Sequence, residues 1–86
     1  MADRLSPNVV LQSVGDGAVL LASDTGQLFT CNRTAESFLS RLDGVREFDE
    51  IISLLLEEFE VDRATLSADL EELVGHLREL GLICAN

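Results

Sequence analysis

The sequence has no tryptophan, no tyrosine and no lysine, and only one histidine, one proline, one methionine and two cysteines. Each scarcity removes a class of function. Cys31, Cys84 and the single His76 do not form a zinc-binding set at the usual ligand spacing. The two cysteines lie far apart in the chain, which leaves a disulfide open but fits reduced, buried thiols better. No glycine-rich phosphate loop is present. No apolar run approaches the roughly 20 residues of a spanning helix. The start, Met1-Ala2-Asp3-Arg4, lacks the hydrophobic stretch of a signal peptide. A cytoplasmic protein without a membrane partner is expected. With aromatics reduced to four Phe, the core must be built mainly from Leu, Val and Ile.

Positive charge is also short. Six arginines stand against 16 acidic residues, a net charge of −10. Nucleic acid is therefore not an expected partner, because phosphate binding needs a concentrated basic surface. An acidic surface of this kind favours solubility and a basic or polar partner. What the chain does have is apolar residues, 47% of its 86. That is enough for one compact domain over residues 1–86 without covalent staples.

The chain divides into a strand-like third and a helix-like remainder. Three short apolar runs, 8–14, 18–23 and 27–31, are separated by Gly15-Asp16-Gly17 and Asp24-Thr25-Gly26. Both breaks are turn signals, and connections this short predict a three-stranded antiparallel meander. From Asn32, a good N-cap, the period becomes helical. Ala35, Phe38, Leu39 and Leu42 form one stripe, ended by Asp43-Gly44. Phe48, Ile51, Ile52, Leu55 and Phe59 form a second. Leu66, Leu70, Leu73, Leu77 and Leu80 form a third, capped by Asp62 or Thr65 and closed by Gly81. A three-stranded sheet does not stand alone, so the helices must cover one of its faces.

Catalytic constellations are missing. Ser67 lies nine residues before His76 on the same helix, roughly 13 Å along the axis, too far for a nucleophile and its base. The pairs Asp49-Glu50, Glu57-Glu58 and Glu71-Glu72 are adjacent on helices and point apart, as solvated faces do. An acyl-carrier attachment site would need Asp-Ser-Leu, which the sequence does not contain. No catalytic residue, metal site or cofactor is expected.

The informative feature is an edge. Pro7 blunts the first strand by removing a donor. The third strand, Gln27, Leu28, Phe29, Thr30 and Cys31, carries neither charge nor proline. Either a helix covers it, or another chain docks there by strand addition. About four main-chain bonds at ~0.5–1.5 kcal/mol each do no more than offset an association cost of at least ~4 kcal/mol. Apolar anchors worth ~1.5–3 kcal/mol each would have to complete such binding. The third helix offers Asp69, Glu72, Leu73 and His76 beside its core stripe. A groove between it and the third strand would have an apolar floor and an acidic rim.

Taken in order, several segments resemble the PqqD-like family, the RiPP recognition elements that bind leader peptides of ribosomally made, modified natural products. These are Asp16-Gly17-Ala18-Val19-Leu20-Leu21, Thr25-Gly26, Cys31-Asn32-Arg33-Thr34-Ala35, Phe38-Leu39, Leu42-Asp43-Gly44, Phe59-Glu60-Val61, Asp69-Leu70 and Leu77-Arg78-Glu79-Leu80-Gly81-Leu82-Ile83. The ordered set carries the resemblance, over roughly residues 5 to 84. Where the family usually has leucine, this chain has Cys31. The resemblance implies an α+β, winged helix-turn-helix-like fold, a three-stranded antiparallel sheet followed by three helices. It also implies that a leader peptide adds to the third strand and packs on the third helix. Expected partners are that leader, a separate leader peptidase, and a cyclase or other maturation enzyme. The discrete leader-binding proteins of lasso-peptide clusters are favoured over the peptide chaperones of pyrroloquinoline quinone biosynthesis. A purely structural subunit of an enzyme complex, with no peptide site of its own, is one further alternative, and a DNA-binding regulator is the other. The scatter of Arg4, Arg33, Arg41, Arg46, Arg63 and Arg78 and the acidic third helix speak against it.

Overall fold

The computed structural model describes residues 2–85. Eight elements follow one another: β1 (Asp3–Leu5), β2 (Val9–Val14), β3 (Gly17–Ala22), β4 (Gln27–Cys31), α1 (Arg33–Leu39), α2 (Phe48–Glu58), α3 (Arg63–Glu79) and β5 (Ile83–Ala85). The fold is α+β, with the meander β2-β3-β4 followed by three helices, as expected. The addition is a second, two-stranded sheet in which β1 pairs antiparallel with β5, Asp3 opposite Ala85 and Leu5 opposite Ile83.

The meander is set by its turns. β2 and β3 pair from Val9–Ala22 to Val14–Gly17 around the two-residue turn Gly15-Asp16, where Gly15 has φ 51°. β3 and β4 pair from Ala18–Cys31 to Ala22–Gln27, and Gly26 closes their connection at φ 73°. Alternate residues then face opposite sides. Ala18, Leu20 and Ala22 are buried against the helices, while Val10, Leu21 and Leu28 form an exposed cross-strand row on the outer face.

Gly17 has a steric role of its own. A Cβ at this position would run into the carbonyl oxygen of Cys31 on β4. That neighbour is backbone and cannot swing aside, so the strands would have to part. Gly17→Ala is therefore expected to cost about 1–3 kcal/mol, the usual range for overpacking. Urea denaturation should show the loss, and a midpoint equal to that of the parent protein would contradict this account of Gly17.

Each helix start is capped by a side chain. Asn32 Oδ1 accepts from the Ala35 N–H at 2.8 Å, and Asp62 Oδ2 from the Thr65 N–H at 2.9 Å. Glu47 and Glu50 form a reciprocal capping box at α2. Hydrogen bonds from the Thr65 N–H and the Thr65 hydroxyl hold the Asp62 carboxyl below the usual carboxylate range. At the end of α3, the N–H of Leu82 reaches the carbonyl of Leu77 (2.9 Å) and that of Gly81 the carbonyl of Arg78 (3.1 Å), with Gly81 at φ 75°. This is the Schellman arrangement, and it turns the chain into β5.

The helices bury their apolar faces in one core. Leu20 of β3, Ile51, Ile52 and Leu55 of α2, and Leu77 of α3 are 0% exposed. Phe38 and Phe48 pack edge to face at 5.7 Å. Two details differ from the sequence pattern. α1 ends at Leu39, and tighter bonds from Arg41 N–H to Phe38 O and from Leu42 N–H to Leu39 O follow it. Leu42 stays half-buried against the core without being helical. On α3 the core stripe is Leu66, Leu70, Val74 and Leu77, while Leu73 is only half-buried. No helix among the described residues is long and apolar enough to cross a membrane.

Candidate functional site

β4 pairs with β3 on one side, and among the described residues no strand pairs with its other side. The register indicates which groups are free. A two-residue turn closes on a hydrogen-bonded pair, here Val14 and Gly17. In an antiparallel ladder bonded and non-bonded pairs alternate. Ala18, Leu20 and Ala22 therefore point their backbone groups at β4, meeting Cys31, Phe29 and Gln27. The N–H and C=O groups of Leu28 and Thr30 face outward along the open edge.

Beside this edge lies a cavity of about 300 Å³. Phe29, Thr30 and Cys31 line it from β4, and Leu66, Asp69, Leu70 and Leu73 from α3. Asn32, Thr34 and Ala35 close one end, where the Asn32 cap turns the chain from strand into helix. Val61 and Thr65 close the other, where Asp62 caps α3. Each cap fixes where its helix begins at the rim of the cavity. The cavity sits at the small end of the range for ligand pockets, sized for one or two side chains.

The cavity brings together Phe29, Thr30, Cys31, Asp69 and Leu73 of the residues expected from sequence. The others lie around it. His76, exposed on α3, packs its ring at a tilt against Phe29 with centroids 5.5 Å apart. Gln27 begins β4, half-buried opposite Ala22. Leu28 projects onto the outer sheet face, 64% exposed. Glu72 is exposed on α3 and does not line the cavity. The pattern did not single out Asn32, Thr34, Ala35, Val61, Thr65, Leu66 or Leu70 as lining residues. In the sequence Leu66 and Leu70 belong to the core stripe, and Val61 stands only in the resembling segment Phe59-Glu60-Val61. Docking of α1 and α3 onto the sheet brings these together.

The electrostatics are simple. Burial raises the Cys31 thiol above its ordinary value, and the nearby Glu36 carboxylate raises it further. Cys31 is thus a protonated, half-buried wall at neutral pH rather than a nucleophile. Both cysteines are free thiols. Asp69 is the charged side chain in the lining, and no basic group pairs with it among the described residues. No group of three or more His, Cys, Asp or Glu able to hold a metal occurs among the described residues.

The family model described as coenzyme PQQ synthesis protein D (PqqD) matches residues 17–83. Among solved structures, the chain is similar to TbiB1 in complex with the TbiA(beta) leader peptide, at 29% identity and a TM-score of 0.79, covering 93% of each chain. It is also similar to a lasso peptide synthetase B1 complexed with the leader peptide, at 28% identity and a TM-score of 0.82, covering 98% of this chain and 99% of that one. No curated protein matches the chain.

Proposed function

Because the chain belongs to the PqqD family, we propose that it captures the leader segment of a ribosomally made precursor peptide and, without catalysing a reaction itself, presents it to separate maturation enzymes. The observation that carries this reading is the open edge of β4 lying beside the cavity under α3. An extended segment laid on that edge pairs with the outward N–H and C=O groups of Leu28 and Thr30. Its alternate side chains then drop towards Phe29, Cys31 and Leu73. Pairing gives register, and the apolar wall supplies the larger share of affinity.

Both similar structures hold a leader peptide, and one of these proteins is a lasso peptide synthetase B1. That likeness, over nearly the whole chain, supports a lasso-peptide precursor handed on to a leader peptidase and a cyclase. The family description supports a second reading, a peptide chaperone in pyrroloquinoline quinone synthesis. The protonated Cys31 thiol, a poor nucleophile in this wall, fits binding rather than turnover.

An NMR titration tests the placement and separates the two readings. A synthetic lasso leader should shift the resonances of Gln27–Cys31 and of the Asp69–His76 turn of α3, and the precursor of the quinone cofactor should do so more weakly. Shifts confined to the exposed face of α2, around Ser53 and Glu57, would move the site away from β4.

A further inference from the structure

Asp69 stands out among the cavity walls. It is surrounded by Thr65, Leu66, Leu70 and Leu73 on its own helix and by uncharged residues of β4 opposite. Among the described residues, none supplies it with a cation. Arg41 pairs with Glu58 at 3.2 Å, Arg46 with Asp43 at 3.1 Å and Arg78 with Asp3 at 2.9 Å. Arg63 donates to the Ser53 hydroxyl, Arg4 lies on β1, and Arg33 lines a separate polar groove with Glu36. A carboxylate therefore faces the space that a bound segment would fill, on a molecule already at −10.

Helix geometry gives this carboxylate a fixed place. Thr65, Asp69 and Leu73 follow at four-residue steps and form one row along α3, the charge one turn before the apolar contact. Asp69 and Leu73 are four residues apart, a rise of about 6 Å at 1.5 Å per residue. In an extended strand, residues two apart share a face and lie about 6.6 Å apart. The two spacings nearly match. A strand on β4 that seats one apolar side chain against Leu73 brings the side chain two residues away over Asp69. A long, flexible cation can close the small remaining difference.

We propose that Asp69 is a cation subsite, and that the captured segment carries an arginine or lysine two residues from the apolar side chain seated against Leu73. This rests on the leader-capture reading and adds to it the chemistry that selects one leader over another. The role is one of specificity: apolar contact and main-chain pairing hold the segment, and the ion pair ranks segments with the same anchor.

The test is a display library of random 12-residue peptides, selected on the parent protein and on three variants. The parent protein should enrich sequences with an apolar residue and a basic residue two positions apart. Asp69→Asn should keep the apolar preference, lose the basic one, and weaken an enriched peptide about three- to fivefold at low salt. Glu71→Gln removes the same charge from the opposite side of α3, beside Phe48, and should change affinity less than about twofold. Asp69→Arg should reverse the preference towards acidic residues at the same spacing. Equal losses for Asp69→Asn and Glu71→Gln would mean general attraction to an acidic surface. That result, or enrichment of apolar anchors without the basic partner, overturns the subsite while leader capture stands. If no enriched peptide shifts the β4 resonances, leader capture itself fails and the subsite with it.

Discussion

Leu28→Pro is expected to abolish leader capture while the fold remains intact. The Leu28 N–H faces the open edge and takes no part in the β3–β4 ladder, so proline there removes no internal hydrogen bond. The side chain it replaces is 64% exposed and contributes little to the core. On the binding side the change removes one donor and puts a ring where the incoming strand must approach. Losing one or two main-chain bonds and forcing the strand off register should weaken binding about 100-fold or more, about 2.8 kcal/mol at 1.4 kcal/mol per tenfold. Thr30→Pro should act in the same way. Calorimetric titration with a leader peptide measures the loss, and far-UV circular dichroism shows whether the helices persist. Unchanged affinity in a folded variant would mean that the leader does not pair with this edge.

Leu55→Ala is expected to cost about 2–5 kcal/mol, the usual range for truncating a fully buried leucine. Leu55 is 0% exposed at the centre of α2, among Ile51, Ile52 and the rest of the core. A chain of 86 residues has about 4–13 kcal/mol of stability in total, so this one change removes a large part of it. Leu55→Met conserves volume and should cost less than about 1.5 kcal/mol. Urea unfolding followed by circular dichroism distinguishes the two. No residue of α2 lines the cavity. The molecules of Leu55→Ala that stay folded should therefore bind leader with parental affinity. An alanine variant as stable as the methionine one would remove Leu55 from the centre of the core.

These two variants separate what was legible in the sequence from what was not. The meander could be read because Gly15-Asp16-Gly17 and Asp24-Thr25-Gly26 are local signals, and local geometry decides turns. The helix starts could be read for the same reason, since Asn32 and Asp62 each bond a backbone N–H three residues on. The β1–β5 sheet could not. Three residues carry no readable period, and the partner of Asp3 is Ala85, at the far end of the chain. The end of α1 was obscured similarly. Asp43 is drawn into a bridge with Arg4, and Gly44 donates to the Asp3 carbonyl at 3.1 Å, so β1 rather than local propensity shapes that bend. At the candidate site, β4 and one face of α3 were visible because strand and helix periods assign faces. The exchange of Leu73 for Val74 in the core stripe was not, because a row of leucines every three or four residues does not say how far the helix is rotated. Nor were Val61, Thr65 and the first turn of α1, which join the cavity only when separate helices dock.

The pairing of β1 with β5 has a consequence for how such a unit can be used. It sets the two ends of the described chain side by side, with Ser6 hydrogen-bonded to Gly81 and Leu82. Gly81 lies about 12 Å along α3 from Leu73, at 1.5 Å per residue. Both attachment points are thus neighbours, and neither lies on β4. The architecture has the geometry of a cassette: a host polypeptide could enter and leave it through one small footprint.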